Sequence, residues 1–180
     1  FHYYSIKNIS NYVATISCGN TVSIDNEVFR IDAGPDYYIP IGTAYELNFN
    51  PVKEEGFNYY CWEQLDSAEI TSDDFGPNNV IGSMTRSLPP SDIPTRTIPN
   101  ITRILSNNLT QENPGLNSAW ETVPLVGRDL NWGLTVRKEL NSFNQIAQDA
   151  IKISALATSG PFLINSQNES GYLVKGGAVE

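Results

Sequence analysis

Few residues in this chain belong to the types that do chemistry, and they are scattered. His2 is the sole histidine, and Cys18 and Cys61 are the only cysteines. There is no Cys-x-x-Cys and no Cys/His cluster, so a zinc site built on the usual thiolate and imidazole ligands cannot be assembled from these residues. His2 lacks a Ser–His or Cys–His pairing in sequence, which leaves no nucleophile–base set. Asp73, Asp74 and the nearby Glu69 offer the hard oxygen ligands that calcium prefers, without a fixed ligand spacing. Arg86 and Arg96 carry planar guanidinium groups that match a carboxylate in bidentate fashion. That chemistry allows a site for a peptide C-terminus; it equally allows hydrogen bonds to loop carbonyls or ion pairs with Asp92 or Asp129. Trp62 is read as a core residue, with sugar stacking as the alternative. Glu63 beside it is read as a solvated or hydrogen-bonded edge group. The sequence shows no reaction.

The two cysteines leave two readings open. Both are buried thiols, or they form a disulfide of the kind exported proteins carry. Such a bridge would close a loop of roughly 40 residues, a stabilisation of about 4 kcal/mol on the chain-entropy account.

These residues must be held by a domain of ordinary size. The 180 residues are 40% hydrophobic and 17% charged, a globular balance with enough chain for a core. The formal net charge is -9, which argues against a nucleic-acid backbone or an anionic membrane as partner. No apolar run approaches the length of a membrane span. The chain starts at Phe1 and shows no signal-peptide pattern there, so it is read as a fragment of a longer precursor.

The central positioning unit runs from Ala33 to Gln64. Tyr37 to Ile39 is β-prone and stops at Pro40, and Gly42 permits a turn. Residues 44–49 then alternate polar and apolar with the period of a half-buried strand. Tyr59, Tyr60, Cys61 and Trp62 form a further strand. Arg128 to Arg137 alternates Leu130, Trp132, Leu134 and Val136 with smaller or polar residues, another strand with one buried face. Ala147 to Ala157 is read as a closing strand, with helix competing because alanine favours helices. Val28, Phe29 and Ile31 are expected in an earlier strand, and Trp120 to Pro124 in a short edge segment.

Outside these strands, Phe1 to Ile16 is expected to be a helix capped by Ser5. Its Ile6, Ile9, Tyr12, Val13 and Ile16 form one apolar face that must be covered, since a lone helix of this size is marginal in water. Prolines 89, 90, 94 and 99 argue against a regular central strand or helix in their segment, and residues 66–125 are expected as a long ordered insertion. Ile98, Ile101, Ile104 and Leu105 are its expected apolar anchors, with Asn100 capping a short helix through Leu105.

Several of these segments resemble a known family in order and composition. Ala33-Gly34-Pro35-Asp36-Tyr37-Tyr38, followed by Tyr60-Cys61-Trp62-Glu63-Gln64, resembles the opening of a PKD-type, immunoglobulin-like domain. Arg86-Ser87-Leu88-Pro89-Pro90, Pro94-Thr95-Arg96-Thr97-Ile98-Pro99, Trp120-Glu121 and Ser159-Gly160-Pro161-Phe162-Leu163-Ile164 extend the likeness. Together they are similar to the region that follows the catalytic domain in secreted, reprolysin-like zinc metallopeptidases of Bacteroidetes-type bacteria. The acidic turn such proteins place before the Tyr-Cys-Trp strand is here Pro51 to Gly56, which carries only Glu54 and Glu55 as acids.

The resemblance implies a mostly β chain. Residues 1–19 would be the last helix of a preceding catalytic domain. Residues 20–158 would be a PKD/immunoglobulin-like β-sandwich holding the insertion at 66–125. Residues 159–180 would be the start of a further β domain. It implies a secreted or cell-surface location and a spacer or substrate-positioning role. The partners implied are the adjacent catalytic domain and a protein or peptide substrate. Zinc would belong to the parent's upstream domain, on a His-Glu-x-x-His-x-x-Gly-x-x-His helix that is not in this chain. A different function class is a carbohydrate or cell-surface binding module that uses Tyr37, Tyr38 and Tyr59.

Overall fold

The computed structural model describes residues 2–20, 29–50, 57–139 and 144–162. The chain is mostly β, with one helix near the start and two sheets. Helix α1 covers Tyr3–Thr15. Strand β1 is Tyr37–Pro40, β2 is Tyr45–Asn48, β3 is Phe57–Gln64 and β4 is Thr95–Ile98. A short helix α2, Ile101–Leu105, is followed by β5, Arg128–Glu139, and β6, Asn144–Leu156.

The larger sheet has the order β1-β6-β5-β3, and β2 pairs with β4 in a second sheet. β5 runs antiparallel to both β3 and β6, whereas β1 lies parallel to β6 with Tyr37 opposite Ile153. Alternation explains the faces. Leu130, Trp132, Leu134 and Val136 point into one core, where they meet Tyr45 and Leu47 of β2 and Ile98 of β4. Trp132, Leu130, Leu134, Leu47 and Ile98 are all fully buried. The Tyr45 and Trp132 rings meet edge to face with centroids 6.3 Å apart, tying the two sheets together. Between β1 and β2 the chain turns at Gly42, whose φ of 67° lies in the left-handed region.

Several expectations need correction. The segment 66–125 is not wholly outside the sheets, because Thr95–Ile98 is strand β4. Pro94 and Pro99 flank this strand without entering it, and its pairing with β2 alone leaves its missing donors outside the ladder. Phe29 and Ile31 pack against the core without joining a strand, and Val28 lies outside the described residues. Trp120 to Pro124 makes only a single bridge, Thr85 to Glu121. Ile101 and Leu105 are exposed, so of the four expected anchors only Ile98 is fully buried. Ser5 does not cap α1, whose N-cap is His2 with no side-chain capping bond of its own. The apolar face of α1 is not covered: Ile9, Tyr12, Val13 and Ile16 are exposed, Tyr12 at 70%. Asn100 does cap α2, its side chain accepting from the Arg103 amide at 3.3 Å. Ala147–Ala157 falls almost wholly in β6 and is extended, not helical. Residues 51–56 and 163–180, which hold the acidic turn and most of the expected second β segment, lie outside the described residues.

Candidate functional site

The functional candidates fall into three different kinds of polar arrangement, two of which adjoin β3. The first is buried. Arg96 leaves β4 inward and is 8% exposed. Its Nη1 donates to the Trp62 carbonyl at 2.7 Å, and its Nη2 donates to the Arg86 carbonyl at 2.7 Å and to Glu121 Oε1 at 3.4 Å. The guanidinium lies over the Trp132 ring, 5.3 Å from its centroid. Glu121 spends its other oxygen on the Asn100 amide and side chain, at 2.9 and 3.0 Å. Burial lowers the Arg96 pKa, and the Glu121 carboxylate works against that change. With its Nη donors taken by carbonyls and Glu121, and its Nε buried without a partner, this arginine holds loop to strand. Its acid is Glu121, not Asp92 or Asp129.

Arg86 stands apart from it. It is exposed, its guanidinium lies 4.6 Å from the Trp120 ring centroid, and its Nη1 reaches the Leu116 carbonyl at 3.5 Å. The two arginines therefore do not converge into one binding site. Arg128 is the arginine that sequence reasoning missed. Its Nη1 donates to the Asn79 carbonyl at 2.9 Å, its Nη2 donates to the Gly82 carbonyl at 2.7 Å, and Asp66 lies 3.6 Å away. Its place at the start of a strand is the only signal the sequence carries for it, because the carbonyls it binds lie more than 45 positions earlier.

The second arrangement is a cavity of ≈ 280 Å³ beside β3, lined by His2, Cys61, Glu63, Ser87, Leu88 and Pro89 among others. Cys61 and Glu63 are two residues apart on a strand and so share a face. Glu63 is 3% exposed on the edge strand β3, so of its two readings, solvated or hydrogen-bonded, the hydrogen-bonded one holds. Its carboxylate meets His2 Nδ1 and accepts the Tyr3 amide at 2.7 Å. Burial works to raise the Glu63 pKa, but hydrogen bonds from His2, Ser87 and the Tyr3 amide outweigh it, and the carboxyl lies below its ordinary value. Cys61 is buried, donates to the Leu88 carbonyl at 3.4 Å, and has a thiol pKa raised mainly by burial, as an unreactive thiol does. Both cysteines are free: Cys18 is exposed and Cys61 buried, so neither the pair of buried thiols nor the bridge is formed. Trp62 is 3% exposed and donates through Nε1 to the Pro94 carbonyl at 2.9 Å.

The third arrangement is an acidic hollow of ≈ 190 Å³ that includes Asp73, Asp74, Glu112 and Asn113. Asp74 accepts from Thr71 at 2.6 Å, and Glu69 is not among the residues lining the hollow. Among the described residues, no group of three His, Cys, Asp or Glu side chains is placed to hold a metal ion.

The tyrosines do not form one platform. Tyr38 is 73% exposed on β1 and Tyr59 is 41% exposed on β3, at opposite edges of the larger sheet. Tyr38 lies level with Ser154 and hence Asp129, and Tyr59 lies level with Arg137. Those levels on β5 are about 27 Å apart at ~3.4 Å per residue. Tyr37 is half-buried, which pushes its pKa up to about 12, and its hydroxyl donates to the Glu46 carbonyl at 3.3 Å.

No family model, no curated protein and no solved structure matches the chain.

Proposed function

We propose that this chain is a non-catalytic accessory region of a secreted, reprolysin-like zinc metallopeptidase, built on an immunoglobulin/PKD-like sandwich that spaces or positions its catalytic neighbour. One observation carries the fold part of this reading. β6, β5 and β3 stand side by side, as strands G, F and C do in immunoglobulin-like sandwiches, while β2 and β4 pair as strands B and E do. In this reading the parallel β1 extends the G side, and the Tyr-Cys-Trp segment of β3 corresponds to strand C, where such domains place their core tryptophan. The motif order described above supports the family part.

In this reading zinc belongs to the neighbouring domain. His2, Glu63 and Cys61 make a poor ligand set, because Glu63 is engaged by His2 and the Tyr3 amide and the Cys61 thiol is turned on a carbonyl. The chain's own contribution is mechanical, a two-sheet body whose loops are riveted by Arg96 and Arg128. The test is the coding sequence ahead of Phe1, which should encode a His-Glu-x-x-His-x-x-Gly-x-x-His helix. Its absence, or zinc-dependent proteolysis by this chain in pure form, overturns the reading. The carbohydrate-binding alternative draws on the exposed Tyr38 and Tyr59; reproducible glycan-array binding that is lost in Tyr38→Ala would favour it.

A further inference from the structure

Helix α1 is held at one end. No residue of α1 is buried, and its own N-cap residue makes no side-chain capping bond. Among the described residues, its hydrogen bonds to the sheets come from His2 and the first turn. Glu63 of β3 takes the Tyr3 amide, one of the donors that every helix start leaves without an intrahelical partner, and also meets His2. A carboxylate at this end also suits the positive pole of the helix. Gln148 of β6 donates to the Tyr3 carbonyl at 3.0 Å, and the Tyr4 hydroxyl donates to the Leu65 carbonyl at 3.3 Å. The Tyr3 ring rests on Gly133 of β5, where an added Cβ would lie 2.7 Å from it. The capping group is thus supplied from another element, 60 residues away in sequence.

We propose that α1 is a detachable element latched to β3 by the Glu63 carboxylate, and that protonating this one group releases α1 while the two sheets stay folded. A freed helix of 13 residues is marginal in water, so release and loss of its helical structure go together. The groups around the latch are His2 ahead of α1, Cys61 on β3, and Asp149 on β6, which acts on Tyr3; Arg137 on β5 acts on Cys61. The sign follows from Glu63. Its carboxyl lies below its ordinary value in the folded state, so the latch is at full strength above the ordinary glutamate pKa of about 4.3. It weakens as pH falls through the lower folded value.

The test is amide hydrogen exchange on the whole chain, with thiol labelling of Cys61 in a Cys18→Ser background. At pH 7, Glu63→Gln should cut protection of the Tyr3–Thr15 amides about tenfold or more, with β5 and β6 unchanged. The same substitution should speed Cys61 labelling, because His2 lines the cavity in front of that thiol. In the native sequence, acidification should release α1 before the sheets. Gly133→Ala, which crowds the Tyr3 ring at the foot of α1, should raise α1 exchange at pH 7; if Glu63→Gln fails to fold, the acid titration of the native sequence decides the matter. Unchanged α1 exchange and Cys61 labelling in the variants overturn the proposal, as does loss of α1 and sheet protection at one common pH.

Discussion

Two regions, α1 ahead of the sheets and the segment 66–125 inserted between β3 and β5, exchange the roles that their sequences announce. α1 has an apolar stripe with regular helical spacing, and none of it is buried. The segment 66–125 is polar and broken by prolines, yet it supplies Phe75, Met84, Ile98 and Val123 to the interior, each at most 4% exposed. The difference teaches that periodicity specifies a face without specifying its cover. An irregular segment becomes interior when its carbonyls find donors, and here Arg96 of β4, Arg103 of α2 and Arg128 of β5 bring those donors.

The strongest way to break this comparison is to remove the partner of a buried charge. Glu121→Ala leaves Arg96 without its counter-ion and the Asn100 amide without an acceptor. It should lower stability by about 3–5 kcal/mol in urea denaturation. Ile98→Ala should cost about 2–5 kcal/mol by the same measurement, because its site is fully enclosed by both sheets. Arg128→Met keeps much of the apolar stem and removes the donors to the Asn79 and Gly82 carbonyls. A loss of about 1–3 kcal/mol is expected, with increased exchange or proteolysis confined to residues 78–83. Arg86→Ala removes an exposed stack on Trp120, and about 0.5–1 kcal/mol should follow. At the other extreme, Val13→Ser on the open face of α1 should change stability by no more than about 0.5 kcal/mol. A loss of several kcal/mol there would mean that the stripe is covered, and would undo the contrast.

Much of the architecture was legible because period-2 alternation acts locally. Leu130 to Val136 and Tyr59 to Trp62 announce their strands, and both lie in the larger sheet. Asn100 announced α2 through ordinary capping chemistry. β4 was not legible, since four residues between prolines are too few to show a pattern and their partner, β2, lies some fifty positions earlier. The polar site was less legible still. Glu63 looks like any strand carboxylate until α1 is placed against it, and Glu121 looks like a surface acid until Arg96 is turned inward. Both depend on contacts between residues distant in sequence, which composition and spacing do not carry. Arg86 and Arg96 look alike in sequence, both arginines in one Pro-rich stretch; burial separates them into a surface stack and an interior rivet.

The parallel pairing of β1 with β6 has a mechanical consequence. Because the two strands run the same way, the chain enters beside Ile153 and departs beside Pro40, at opposite ends of their shared ladder. Tension between the segment ahead of Tyr37 and the segment beyond Leu156 therefore loads those hydrogen bonds lengthwise. They must yield as a group and cannot peel apart singly, so the body resists stretching along that axis more than its four-residue edge strand would lead one to expect.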